Sequence, residues 1–338
     1  MEEVEKNKER DFEMDESSVV VQECEDGTAV SVNFILKPKK KTMNGMQKRG
    51  LWFTILVLTP VFISFLVFWL YANVQSIFLG FMEKEVGTGK EIFSLYQFER
   101  LFRDFKRPDS AMSEAFVNTM KYFAVHLIKI FLSVTIAYFL YKKLPGHIVY
   151  KIMFYLPAMI PSMVYITIFK ELIGVYGPIY TLLKNLFGYE MPALFASPTT
   201  ATPTILAYVL WSGFGTSMLI YVGAMNRIPE EVIDAAKLDG VGMAREFFQI
   251  ILPLIWETFG TYFLLAFTGI FMETGPLLYF VGEDTSLKTQ TINYWMFLQV
   301  IGGEYYYPSA IGMFFSICTV PFVIICRWLI NRIETVTY

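Results

Sequence analysis

Few residues in this chain could do chemistry, and most of them stand apart from one another. Gly87-Thr88-Gly89-Lys90-Glu91 has the glycine–lysine ending of a phosphate-binding loop. Such a loop needs an earlier glycine, so that backbone N–H groups can cradle phosphate, and a Ser or Thr after the lysine. It has neither, and Glu91 stands where the hydroxyl belongs. The two histidines, His126 and His147, have no second ligand type beside them. Cys24 lies in a polar segment, and Cys318 and Cys326 lie two turns apart in an apolar run. That pattern suits small buried hydrophobes better than a metal site or a disulfide framework. With no nucleophile–base constellation either, the expectation is a non-enzyme with no cofactor and no metal.

The remaining unusual polar groups sit inside apolar runs. His126 and Lys129 fall one turn apart on one helical face, and Glu273 lies in a later run. A lysine at the centre of a membrane helix costs about 2.5–3.5 kcal/mol on insertion scales, so each case needs a reason. Pairing with a carboxylate such as Glu273, or snorkelling of Lys129 along its own helix, is favoured over lining a pathway.

The elements that carry these residues follow from composition. The chain has 338 residues, is 54% hydrophobic and 17% aromatic, with 17% charged residues and a net charge of -3. A soluble domain carries more charge, and no basic surface suggests nucleic acid. A membrane helix needs roughly 20 apolar residues to cross about 30 Å of hydrocarbon. Six such runs lie near residues 51–72, 116–141, 148–172, 204–224, 258–281 and 308–330. They are too long, and lack the period of two, for barrel strands. The fold class is therefore an all-α integral membrane protein with six transmembrane helices and a cytoplasmic helix pair between spans 4 and 5.

Two domains are expected. Residues 1–42 are expected to form an acidic, charge-dense cytoplasmic tail that stays solvated and disordered. "SVNFILK" within it is a weak strand candidate, and the polar stretch ahead of the first apolar run does not read as a cleavable signal peptide. Residues 43–338 form the transmembrane domain. Lys37, Lys39, Lys40, Lys41, Lys48 and Arg49 precede span 1, and Lys142, Lys143 and Lys151 follow span 2. Arg227, Lys237 and Arg245 lie between spans 4 and 5, and Arg327 and Arg332 at the C-terminal end. The loop after span 1 is also basic, but the carboxylates from Glu83 to Glu114 accompany its cations. The Lys/Arg bias puts both termini and the 226–257 loop in the cytoplasm.

That loop is the most informative stretch. In "NRIPEEVIDAAKLDGVGMAREFFQIILPLI", Asn226 to Ile255, Met243, Phe247, Ile250, Ile251 and Leu254 share one helical face, with Arg245, Glu246 and Gln249 opposite. Pro229 suits a first helical turn, and Val232, Ala235, Ala236 and Leu238 can pack on one side. Gly240 and Gly242 permit a sharp turn between two short helices. On amphipathicity alone, a docking element and a helix lying on lipid headgroups read equally well.

The spacing separates these readings. Asp234-Ala235-Ala236, Gly240, Ile250, Leu252 and Pro253 reproduce E-A-A-x3-G-x9-I-x-L-P, with Asp for the usual Glu. The stretch resembles the signature of the permease subunits of binding-protein-dependent ABC importers, and "IPEEVIDAAKLDG" resembles the carbohydrate-uptake branch. "LPAMIPSMVYITIFKEL", "FSLYQFERLFRD" with "AFVNTM", and residues 193–229 extend the likeness over most of 51–332. After span 5, "METGPLLYFVGEDTSLKTQTINYW" is similar to the branch linked with complex oligosaccharides.

The resemblance implies an importer half in a bacterial or archaeal cell membrane. It moves a sugar, and by the last similarity an oligosaccharide, by alternating access. Implied partners are a second permease subunit, two ABC ATPase subunits, an extracytoplasmic solute-binding protein and membrane lipid, with ATP hydrolysed on the partner subunits. Asp234, Ala235, Ala236, Asp239, Gly240, Met243 and Phe247 are implied to dock the ATPase, with Phe247 and Met243 as anchors. Ser162, Tyr165, Val209, Gly213, Phe267, Thr268 and Phe271 are implied to touch the solute. Rival readings are a permease of the same class for polyamine or glycerol phosphate, an ion-driven secondary transporter, or a scaffold that recruits a soluble partner.

Overall fold

The computed structural model describes residues 12–13, 19–23, 30–34, 37–38 and 45–332, apart from residues 86, 88, 273, 275 and 283–288. The chain divides into two units, Met1–Ala72 and Asn73–Tyr338.

In the first unit, β1 (Phe12–Glu13) pairs antiparallel with β4 (Lys37–Pro38), and β2 (Val19–Glu23) with β3 (Val30–Phe34). The β-branched residues of "VVVQE" and "VSVNF" favour this extended backbone. Strand β3 falls on the weak strand candidate. Helix α1 (Gly45–Ser64) continues into a π-helical turn, Phe65–Tyr71. Leu56 is 71% and Phe68 78% exposed, an apolar surface no soluble monomer leaves uncovered.

The second unit begins within α2 (Ala72–Gly80), which the hairpin β5 (Met82–Lys84)–β6 (Glu91–Phe93) and α3 (Tyr96–Lys106) follow. The long α4 (Ala111–Tyr141) starts earlier than hydropathy alone suggests, because Ser110 caps it by accepting the Ser113 N–H at 3.1 Å. Then come α5 (His147–Met159), α6 (Ser162–Ile173), α7 (Pro178–Phe187), α8 (Pro198–Ser212) and α9 (Gly215–Met225). The cytoplasmic-loop candidates form α10 (Glu230–Leu238), α11 (Met243–Glu246), a π-helical turn Phe247–Ile251 and α12 (Leu252–Leu254). After these come α13 (Trp256–Thr268), α14 (Leu277–Phe280), α15 (Ile292–Ile301) and α16 (Tyr306–Arg332).

Among the described residues, five apolar helical stretches are long enough to cross a membrane, or six if the pair bent by 78° between Leu254 and Trp256 is one span. Two expected spans are corrected. The 148–172 run breaks between α5 and α6, because Pro161 pushes Ile160 into extended backbone (φ -89°, ψ 136°). The crossing-length stretch is instead Ser162–Phe187. The 258–281 run stops as a helix at Thr268, ahead of Gly269 and Pro276. Helix α15 was not expected. Thr291 caps it by accepting the Tyr294 N–H at 3.3 Å.

Three apolar clusters form the core of this unit. One joins α4, α9, the loop helices and α13, a second joins α4, α6, α8, α14 and α15, and a third joins α3, α4, α15 and α16. In the third, Tyr307, 2% exposed, donates to Asp104 Oδ2 at 2.6 Å under the Arg100 guanidinium, 4.0 Å from the ring centroid. Tyr307→Phe is expected to cost about 1.5–3 kcal/mol, the worth of a bond to a charged acceptor. A thermal melt in detergent should show a midpoint several degrees lower, and an unchanged midpoint would remove this bond from the account of how α3 is held.

Candidate functional site: a helix pair on the bundle and a cavity within it

The loop between α9 and α13 is built by local rules. Pro229 is the residue just before α10, in extended-type backbone (φ -58°, ψ 138°), and Glu230 and Glu231 in the first turn face the positive end of the helix dipole. The far end closes as a Schellman turn. Val241 N–H donates to the Ala236 carbonyl, and Gly240 N–H to the Lys237 carbonyl, both at 3.0 Å. That motif needs a left-handed residue, and Gly240 supplies it with φ +68°. The chain reverses there and re-enters a helix at Met243. Lys237 Nζ bonds Asp234 Oδ1 at 2.8 Å across one turn, and this carboxylate holds the ammonium above its ordinary pKa. Both side chains are well exposed, so the pair contributes little to stability.

Burial separates the loop's two faces. Ile233, Phe247, Ile251 and Ile255 point inward and join the core with Tyr138, Tyr221 and Met225, and Ala236 is buried beside them in sequence. Asp234, Ala235, Asp239 and Gly240 are exposed, as are Leu238 at 89% and Met243 at 52%. Three expectations change here. Phe247 is 7% exposed, with its ring centroid 5.1 Å from that of Tyr138, so it holds the loop down and presents nothing outward. Ala236 is also buried, while Leu238, expected to pack inward with it, faces out. Met243 and Glu246 exchange faces, Met243 turning outward and Glu246 inward onto Lys142. Glu246 is 3% exposed, and its carboxylate lies on Lys142 Nζ at 2.7 Å. The outward face is therefore small and apolar (Ala235, Leu238, Gly240, Met243), with Asp234 and Asp239 beside it.

Within the bundle, α4, α9 and α13 enclose a cavity of about 380 Å³. His126, Lys129, Thr216, Ser217 and Tyr262 supply its polar and aromatic lining, and Gly213 part of its wall. A Cβ on Gly213 would overlap the Lys129 side chain, so the lysine's methylenes lie across the glycine. The placement of His126 and Lys129 is that of lining groups. Glu273, offered as a partner for Lys129, lies outside the described residues.

The seven residues implied to touch solute are not brought to one place. Gly213 lines this cavity. Phe267 and Phe271 line a separate, phenylalanine-rich cavity of about 500 Å³, and Thr268 and Phe271 a third of about 450 Å³. Tyr165 and Val209 are buried in the cluster containing Tyr122 and Tyr208, and Ser162 is exposed at the start of α6. Thr216 and Tyr262 were missed. Thr216 could have been found one turn after Gly213, and Tyr262 as a phenol inside an otherwise apolar helix.

Long apolar helices around a cavity lined in part by polar side chains, with an amphipathic helix pair packed on the bundle, define a multi-pass membrane protein. Residues 129–335 match the binding-protein-dependent transport system inner membrane component family, and the chain belongs to that family. The family is one of membrane components of transport systems. The maltose/maltodextrin transport system permease protein MalF of Shigella flexneri is 36% identical over 135 residues, 38% of this chain and 26% of that protein. The Escherichia coli K12 protein of the same name gives the same figures. The matched segment thus spans about a quarter of these relatives' length. The fold matches a bacterial ABC transporter involved in import of the acidic polysaccharide alginate, with a TM-score of 0.68 and 18% identity, covering 85% of this chain and 97% of that one. A second structure, the alginate transporter in complex with a pentasaccharide-bound periplasmic protein, gives a TM-score of 0.72 at 18% identity, covering 86% and 98%.

Proposed function

We propose that this chain is the membrane-spanning half of an ATP-driven sugar importer, with an oligosaccharide as its solute. Its partners are a second permease, two ATPase subunits that carry out the hydrolysis, and an extracytoplasmic binding protein. Both termini and the 226–257 loop lie in the cytoplasm. The observation that carries the reading is the outward face of the loop. Leu238 and Met243 stand beside the small Ala235 and Gly240 on a helix pair whose other face is fixed in the bundle. Exposed apolar side chains flanked by small residues suit insertion into a cleft on a soluble partner. Asp234 and Asp239 border this face, and Lys237 is tied to Asp234.

The solute passes through the α4–α9–α13 cavity. Tyr262 and Phe123 offer ring faces to a pyranose, and Thr216, Ser217 and His126 offer hydrogen-bonding groups for its hydroxyls. The test is reconstitution in proteoliposomes with candidate partner subunits and binding protein, comparing labelled maltotriose, spermidine and glycerol 3-phosphate. ATP-dependent accumulation of maltotriose alone is the expected result. Accumulation of either other solute reassigns the substrate, and accumulation driven by an ion gradient without ATP overturns the importer reading.

A further inference from the structure

The loop is continuous in sequence with α9 on one side and α13 on the other, so any push on it reaches those two helices directly. Its attachment to α4 is different, because 104 residues separate Lys142 from Glu246. Lys142, just past the end of α4, places Nζ 2.5 and 2.7 Å from the two carboxylate oxygens of Glu246. The Glu246 side chain is 4% exposed and that of Lys142 17%. One turn before Lys142, the Tyr138 hydroxyl donates to the Met243 carbonyl at 3.2 Å, and its ring packs on Phe247. Lys142 Nζ also lies 5.9 Å from the centre of that ring.

We infer that Lys142 and Glu246 form a clasp that makes α4 follow the loop, so that ATP-driven displacement of the docking face moves α4, α9 and α13 together. The inference rests on the docking reading above and names the positioning residues through which it acts. Apolar contact alone is non-directional and lets packed surfaces slide. An ammonium hydrogen-bonded to one oxygen of a buried carboxylate and close to the other fixes one position, and parting them leaves each charge without its partner in a poorly solvated place. The clasp also explains why an acidic side chain is tolerated inside the loop's core. The consequence for transport follows from what α4 carries. His126 and Lys129 line the solute cavity from α4, facing Gly213 and Thr216 from the α8–α9 side and Tyr262 from α13. If α4 lagged behind the other two helices, the loop could move without reshaping the cavity, and ATP would be spent without solute crossing.

The experiment uses Lys142→Glu, Glu246→Lys and the exchanged pair carrying both changes. Two arms are read. In the first, each chain is reconstituted with its partner subunits, and labelled maltotriose uptake is divided by ATP hydrolysed. Each single reversal is expected to lower this ratio by about tenfold, within the usual range of coupling between sites, while ATPase subunits still co-purify. The exchanged pair should recover at least half of the ratio. A ratio unchanged in the single variants overturns the clasp. So does uptake and hydrolysis falling in parallel with the amount of assembled complex, or an exchanged pair no better than the singles.

The second arm needs no ATPase. In a cysteine-replaced full chain in nanodiscs, spin labels at Leu238→Cys and Pro145→Cys report the separation of the loop from the end of α4. One narrow distance is expected in the parent and the exchanged pair, and a broad distribution in each single reversal. Identical distributions in all four chains overturn the clasp whatever the first arm gives. If the clasp holds here but the parent captures no ATPase, the docking reading fails instead.

Discussion

Gly240→Trp ends capture of the ATPase subunits while leaving the chain folded in the membrane. Gly240 lies at the tip of the Schellman turn, and a Cβ built on it meets nothing within 4 Å. An added side chain therefore projects into solvent in the free chain and clashes only when a partner closes over the tip. The backbone contributes a second effect, because at φ +68° a residue with a Cβ pays roughly 1–2 kcal/mol. Asparagine separates the two, since it tolerates the left-handed region far better and is much smaller. Gly240→Asn should keep most of the captured ATPase. Gly240→Trp should lose at least about tenfold, which takes only some 1.4 kcal/mol of unfavourable fit at a buried contact. Ala235→Trp is an independent check, because Ala235 is exposed within α10 and carries no backbone strain. The measurement is recovery of ATPase subunits with tagged chain from membranes, normalised to chain present. Normal recovery with both tryptophan variants would move the docking surface elsewhere.

The loop was legible because its information is local. The spacing from Asp234 to Pro253 sets a short helix, a left-handed turn and a second helix, and the hydrogen bonds at Gly240 and Val241 are what that spacing builds. The direction of each face was less legible. A helical wheel fixes which residues share a face but not which face meets the bundle, so Glu246 and Met243 were assigned to the wrong sides. Nothing near Glu246 in sequence reveals Lys142, its partner across the fold. The same limit applies to the spans. Hydropathy found the apolar runs, whereas the break at Pro161 and the early end at Thr268 depend on single-residue backbone preferences that a window average erases. The cavity was the least legible feature. Its lining depends on how α4, α9 and α13 are rotated about their own axes. A rotation by one residue separates Phe267, which lines the phenylalanine-rich cavity, from Ala266, which lines the polar one.

Gly213→Leu is expected to stop uptake without disturbing assembly, and the reason lies in what the glycine accommodates. Lys129 crosses it so closely that any Cβ overlaps the lysine's Cδ and comes within 2.8 Å of Nζ. The obstructing atoms belong to a flexible side chain and not to backbone, so the lysine can swing aside at little cost. The open volume adjoining it is the cavity of about 380 Å³ that both residues line. The leucine and the displaced ammonium then occupy the space the solute requires. Gly213 has φ -94° and ψ 2°, a conformation open to any residue, so the backbone adds no strain. Labelled maltotriose uptake should fall by at least about tenfold, which a displaced charge and a lost contact reach if together they cost about 1.4 kcal/mol. Co-purified ATPase and the thermal midpoint should stay near parental values. Shortening the lysine in the same chain, Gly213→Leu with Lys129→Ala, should return part of the uptake. The two changes touch one another, so their effects are not additive. Full uptake in Gly213→Leu alone would show that solute does not pass this glycine. A double variant no better than the single would assign the block to the leucine by itself, leaving Lys129 out of the passage.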